Sequence, residues 1–183
     1  HDPKALGFLK VRLYEDSDPP TRAQAAWALG ELGSLEAVEP LEDALAKDRT
    51  AAVRREAALA LGKLKNMASA AKLIHSCKRD PEVREATLAA LGSFPPHVTV
   101  PFFIFVLGHN LTASETRSVL DNLRKLTHQD LGPDPAAWKL WWDRNRESIE
   151  KAAGVVSPTE PGGRDEKREA PAEKAAEAAP IEV

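Results

Sequence analysis

Apolar and polar positions along most of the chain follow the spacing of amphipathic helices, and this pattern repeats. Three segments align on glycines that each follow a leucine: Gly30, Gly62 and Gly92. Twelve residues before each glycine stands a residue of the helix-capping type: Asp18, Thr50 and Asp80. Asp18 and Asp80 each precede a proline, which is favoured at the first helical position. The pattern predicts three equivalent helices, each starting just after its capping residue.

A fourth, degenerate copy of the unit occupies residues 112–126. Thr112 stands at the capping position, and Glu115 three residues later completes the pattern of a capping box. The four capping positions are 32, 30 and 32 residues apart. Two helices of about 12 residues with two turns fill such a period.

A second apolar-periodic segment follows each glycine, over residues 35–48, 67–80 and 97–108. Positions 8, 11 and 15 after the glycine share one helical face and are apolar: Val38, Leu41, Leu45, Ala70, Leu73, Cys77, Val100, Phe103 and Leu107. One hairpin cannot bury its apolar face alone, so hairpins stack. The sequence therefore predicts an all-α fold, an α-solenoid of stacked antiparallel helix hairpins.

The pattern divides the chain into four segments. Residues 1–17 fit the second helix of a truncated repeat through Leu6, Leu9 and Leu13, and we expect a longer array in the parent protein. Residues 18–126 hold the repeats. Residues 127–156 hold a final helix, with three tryptophans on one face, that we expect to cover the end of the stack; a ligand groove is the alternative. Residues 157–183 contain few core-forming side chains and predict a disordered tail or linker.

Two features of the repeat indicate close packing between neighbours. The glycines and an alanine-rich stripe allow helices to approach closely. An arginine also stands eight residues before each glycine, at Arg22, Arg54 and Arg84. These arginines either bind carbonyls or a carboxylate of the adjacent repeat, or are solvated surface side chains.

Composition narrows the possible functions. The chain has 183 residues and a formal net charge of −3, which disfavours nucleic-acid binding. No apolar run is long enough to cross a membrane. The single cysteine, Cys77, excludes an internal disulfide framework, and a cytoplasmic location is favoured. We expect the chain to be monomeric.

The repeated motif resembles a known family. Arginine followed by Ala-Leu-Gly-x-Leu, as at residues 54–64, and Ala-Val-x-Pro-Leu at residues 37–41 are similar to bacterial HEAT-like repeats, including those of phycobilin lyases. The resemblance covers about residues 3–126. The segment 126–142 also resembles the tryptophan-rich strings that close such arrays. The resemblance implies a solenoid that serves as a binding module, a scaffold or, in a few cases, an enzyme.

Sequence motifs for catalysis are absent. The chain has no phosphate-binding glycine loop, no nucleophile elbow and no His-Glu-x-x-His, and its five histidines lack metal-ligand spacing. Cys77 falls on a predicted core position, which favours a buried, inert thiol. We therefore expect no catalytic residue, metal or cofactor.

The second helices supply the candidate binding residues, because they line the concave face of HEAT-like stacks. Positions left unburied by the repeat predict a partner-binding face made of Glu39, Glu42, Asp43, Lys72, Ile74, His75, Phe102, Ile104 and Phe105. The acidic residues would steer a basic stretch of a partner protein or peptide, and the apolar residues would anchor it. The last helix could instead cover Phe102 and Phe105.

Three alternatives to protein binding remain. A tetrapyrrole-handling, lyase-like protein would need a pocket lined by His75, Cys77 and aromatic residues. A purely architectural spacer would bind nothing. Binding of DNA is less favoured, because the repeats have no basic excess.

Overall fold

A computed structural model describes residues 3–155 of the chain. Within this range the chain forms nine α-helices and no strand. The helices are α1 (Pro3–Glu15), α2 (Pro19–Leu32), α3 (Val38–Lys47), α4 (Ala51–Leu64), α5 (Met67–Arg79), α6 (Arg84–Leu91), α7 (Pro96–Leu107), α8 (Ala113–Thr127) and α9 (Pro135–Ala152). A 3₁₀ turn at Leu35–Ala37 leads into α3. The prediction of an all-α solenoid is confirmed.

The helices form two layers. In the first-helix layer, α2, α4, α6 and α8 each pack against the next. The second-helix layer contains α1, α3, α5, α7 and α9, in which α1 packs on α3, α3 on α5 and α9 on α7. Each of α1, α3, α5 and α7 also packs against the first-layer helix that follows it. The hydrophobic core lies between the layers, because each helix turns its apolar stripe inward.

Most predicted helix starts are in place. The Asp18 carboxylate accepts from the Thr21 amide at 3.2 Å, and Thr112 and Glu115 form the predicted capping box. Thr50 precedes α4 but makes no capping bond with its side chain.

Asp80 departs from the prediction. Helix α6 begins at Arg84, so Asp80 is not its N-cap and Pro81 is not its first residue. The Asp80 carboxylate instead binds Arg54 Nε at 2.7 Å and the Glu82 amide at 3.0 Å. These bonds hold a turn in which the amide of Val83 bonds the carbonyl of Asp80, three residues back.

The repeat glycines mark close contacts between adjacent first-layer helices. A Cβ on Gly30 would lie 2.8 Å from both Cα and Cβ of Ala60, and a Cβ on Gly62 would meet Ala90 at the same distances. At the degenerate fourth repeat, Gly92 faces the side chain of Asn122. The close approach predicted from these glycines is therefore confirmed.

The C-terminal helix α9 contributes two tryptophans to the core. Trp138 is fully buried and its indole Nε1 donates to the carbonyl of Gly132 at 2.7 Å. Trp142 is buried and Trp141 is partly buried. None of the described helices combines the length and apolar character that crossing a membrane requires. The predicted tail, residues 157–183, lies outside the described residues.

Candidate functional site

The repeated arginines form bonds between neighbouring repeats at the N-terminal ends of the first-layer helices. We call Arg22, Arg54 and Arg84 the arginine ladder. Arg22 binds Asp48 with two donors, Nε at 2.8 Å and Nη2 at 3.0 Å, and its Nη1 donates to the carbonyl of Asp16 at 3.0 Å. One guanidinium therefore joins the turn before its own helix to the turn before the next.

The second and third members make related bonds. Arg54 Nη1 donates to the carbonyl of Asp48 at 2.9 Å, in addition to the bond from its Nε to Asp80. Arg84 donates from Nε to the carbonyl of Cys77 at 3.2 Å and pairs with Glu115 at 3.4 Å. Of the two roles predicted for these arginines, the structure supports bonding to the adjacent repeat.

The electrostatics of this junction follow from the pairing. Burial alone would raise the pKa of Asp48, but hydrogen bonds from Arg22 and from the amide of Thr50 outweigh it and hold that pKa below its usual value. Hydrogen bonding to Asp48 correspondingly raises the pKa of Arg22. The ladder is a structural device, because its charges are largely satisfied within the chain.

The acidic end of the predicted binding face is largely paired internally. Glu42 accepts from the hydroxyl of Ser69 at 2.8 Å and pairs with Lys72 of α5. Asp43 pairs with Lys47, one turn along α3, at 2.8 Å. Of the three acidic residues, Glu39 is the exposed one, and it forms no ion pair with another residue of the range 3–155. The three acidic residues thus share the surface of α3 but carry little free negative charge.

The aromatic end differs from the prediction in which side chains are accessible. Phe102 is buried, so it is not available as a surface anchor, and Ile104 is partly buried against the core. The ammonium of Lys78 on α5 lies 5.8 Å from the centre of the Phe102 ring. Phe105 is 50% exposed and keeps a free face. Ile74 on α5 also packs against the core rather than standing free.

Phe105 lies among groups that the sequence pattern did not indicate. The ammonium nitrogen of Lys78 lies 4.9 Å from the centre of its ring, and the His109 ring lies 4.3 Å away, centre to centre. His109 Nδ1 lies 2.8 Å from the Phe105 carbonyl, which can only accept, so Nδ1 donates. Lys78 could have been identified from the sequence, because it lies three residues after His75 on α5 and hence on the same face of the helix.

His75 and Cys77 do not form the pocket that a tetrapyrrole-handling protein would need. His75 is exposed, whereas Cys77 is 1% exposed, and burial raises the pKa of its thiol. Two residues apart on one helix, the side chains point to different sides of α5. The prediction that Cys77 is buried is confirmed. Among the described residues, no group of three or more His, Cys, Asp or Glu side chains is arranged to hold a metal ion.

Open grooves also lie elsewhere on the surface of residues 3–155. One of about 360 Å³ crosses the first-helix layer beside Trp27, over Ala60, Gly62 and Ala90. There Lys63 lies 5.7 Å from the Trp27 ring and pairs with Glu31, so its charge is neutralised within the chain. Another, of about 650 Å³, runs along the ends of α1 and α3, and its lining includes Arg22 together with Asp16 and Asp48, to which Arg22 is bonded.

Comparison with known proteins agrees with the helical architecture. Residues 6–92 match the family described as HEAT repeats. The match spans α1 to α6 and so includes the three glycines and the whole arginine ladder. No curated protein is similar enough to the chain to count as a match.

Proposed function

We propose that this α-solenoid of HEAT-like repeats is a protein-interaction module that binds a segment of a partner protein along its second-helix layer. The single observation that carries the proposal is the half-exposed ring of Phe105, flanked by exposed polar side chains on the adjacent helix α5. Solvent-exposed aromatic side chains beside cations are frequent anchors at protein interfaces.

The binding face runs across three helices. Contacts between Glu42 and Lys72 connect α3 to α5, and the contact between Lys78 and Phe105 connects α5 to α7. An extended segment or a helix of a partner could therefore follow the layer from Glu39 to Phe105. The groove beside Trp27 is the weaker candidate, because its lysine is already paired with Glu31.

A site-specific photo-crosslinking experiment tests which face binds. Photoreactive benzoylphenylalanine would replace Phe105 or His75 in the second-helix layer, and Gln24 or Arg117 in the first-helix layer, in the full chain in its source cells. We expect positions 105 and 75 to form discrete crosslinked adducts with a partner protein, and these adducts should disappear when untagged chain is added as a competitor. Positions 24 and 117 should form none. Equal adducts from both layers, or none from the second-helix layer, would contradict the proposal.

A further inference from the structure

The exposed surface formed by Phe105 and the C-terminal part of α5 carries cations that form no ion pair with another residue of the range 3–155. We call His75, Lys78, Arg79, Phe105 and His109 the basic aromatic patch. All five side chains are exposed. Helices α5 and α7, which supply most of the patch, contain no Asp or Glu. Within residues 3–155, neither Lys78 nor Arg79 forms an ion pair.

The carboxylates nearest in sequence are bound elsewhere. Asp80 and Glu82 follow α5 directly, but both pair with Arg54, at 2.7 Å and 3.0 Å. Glu42, on the neighbouring helix α3, pairs with Lys72. The positive charge of Lys78 and Arg79 is therefore left for a group outside the described part of the chain.

The ring and the cation at the centre of the patch offer two adjacent contacts. Lys78 lies over the Phe105 ring, and a surface cation–π contact of this kind is weak enough for the ammonium to donate to a carboxylate as well. Because His109 Nδ1 donates to the Phe105 carbonyl, the imidazole is held beside the Phe105 ring, at an interplanar angle of 43°, and Nε2 is left for another partner. An apolar side chain can thus pack on the rings while a neighbouring carboxylate binds the cations.

We propose that the basic aromatic patch binds an acidic peptide segment of a partner protein, one that presents an apolar or aromatic side chain beside its carboxylates. This inference rests on the proposed function and gives the partner's chemistry at the α5–α7 end of the face. A basic segment is disfavoured there, because Lys78 and Arg79 would repel it. The acidic residues of α3 do little to attract one, since Glu42 and Asp43 are already paired with lysines.

Selection of short random peptides displayed on phage, with the full chain as bait, tests this chemistry without knowledge of the partner. An enriched peptide is then synthesised with a fluorescent label and its affinity measured by anisotropy. We expect enriched peptides to combine net negative charge with an aromatic or leucine residue. We expect Lys78→Glu and Phe105→Ala each to weaken binding by about ten-fold or more, and binding to weaken as salt is raised.

The matched control is Arg117→Glu, which makes the same charge change at an exposed position on α8. Binding by this variant should stay within about two-fold of the unmodified chain. Circular dichroism verifies that each variant keeps its helices. Enrichment of basic peptides, failure to enrich any peptide family, or equal loss in the Arg117→Glu variant would overturn the inference.

The two proposals fail in different ways. If the enriched peptides are basic but still compete with crosslinking at position 105, the second-helix layer remains the binding face. The proposal that its partner segment is acidic would then be refuted. Adducts formed from position 117 and not from position 105 would refute the proposed function itself.

Discussion

The arginines of the ladder stabilise the contacts between neighbouring repeats, and Arg22 is the clearest example. Its guanidinium binds the carboxylate of Asp48, 26 residues later in the chain, while also binding the carbonyl of Asp16. Arg54 repeats the same spacing to Asp80. The spacing fails at the third repeat, where Asn110 stands 26 residues after Arg84 and Glu115 supplies the carboxylate instead.

Replacing Asp48 with Asn should destabilise the protein in a pH-dependent way. Because the pKa of Asp48 in the folded protein lies below its unfolded value near 3.8, the ionised carboxylate stabilises the fold fully above that value. The contribution is lost as pH falls through the folded pKa. We expect Asp48→Asn to lower the free energy of unfolding by about 1–3 kcal/mol near neutral pH, measured by urea denaturation.

The expected difference from the unmodified chain should shrink below about pH 4 as Asp48 itself protonates. Asp143→Asn is the control, because Asp143 forms an exposed pair with Lys139 on one helix and should cost about 0.5 kcal/mol or less. Equal losses in the two variants, or a loss for Asp48→Asn that does not change with pH, would contradict this account.

At the scale of the helix, the repeat glycines decide how closely first-layer helices approach. Gly62, in the last turn of α4, lies against Ala90, whose Cα is backbone and cannot move aside as a flexible side chain can. At the fourth repeat, Gly92 leaves room for a larger neighbour, the side chain of Asn122 on α8. The amide nitrogen of Asn122 donates to the carbonyl of Leu88 at 3.0 Å.

Gly62→Ala and Gly7→Ala should change stability in opposite directions. The new methyl at position 62 would force α4 and α6 apart, which should lower the free energy of unfolding by about 1–3 kcal/mol despite the better helix propensity of alanine. A methyl at position 7, inside α1, would meet nothing within 4 Å. Gly7→Ala should therefore raise the free energy of unfolding by up to about 1 kcal/mol.

Chemical denaturation of both variants measures the two free energies, and helix content from circular dichroism verifies that each folds. An increase in stability for Gly62→Ala would show that α4 and α6 can accommodate a methyl group between Gly62 and Ala90.

Across the whole molecule, stability depends on each repeat's neighbours, so the ends matter most. Trp138 fills the last part of the core, with no exposed surface and a hydrogen bond to Gly132. We expect Trp138→Ala to lower the free energy of unfolding by about 3–5 kcal/mol. Amide hydrogen exchange should show lost protection in α7, α8 and α9 before α2 and α4.

Trp27→Ala is the matched control for this prediction. Trp27 is 51% exposed on the first-helix layer, so its removal should cost about 1 kcal/mol or less and leave the protection of α9 unchanged. Uniform loss of protection from α2 to α9 in Trp138→Ala would indicate a single cooperative unit rather than a stack that opens from its end.

The second-helix layer also has a direction across the whole molecule. Its charge changes from acidic residues on α3, most of them paired, to unpaired cations on α5 beside the aromatic ring of α7. If the proposed acidic segment binds this face, we expect the gradient to orient it with its acidic end at Lys78 and Arg79.

Sequence alone determined the repeat, the helices and the buried faces. The apolar spacing through Leu41 and Leu73 indicates which side of α3 and of α5 faces inward, because each of these helices has one apolar stripe. Glycines recurring with that period likewise indicated the close contacts. The prediction that Asp80 is the N-cap of α6 was wrong, because the Asp80 carboxylate binds Arg54 of another repeat instead of capping the helix.

Only the tertiary structure decided which side chains are free to act. The sequence pattern placed Glu42 and Phe102 on the partner-binding face of the second helices, with burial as the alternative for Phe102, yet Glu42 pairs with Lys72 and Phe102 is buried. Both outcomes depend on neighbouring helices that are distant in sequence, and so does the meeting of Lys78 with Phe105. The sequence pattern gives the direction of a side chain about its own helix axis. Its exposure and its ion pairs depend on which side chains the neighbouring helices place beside it.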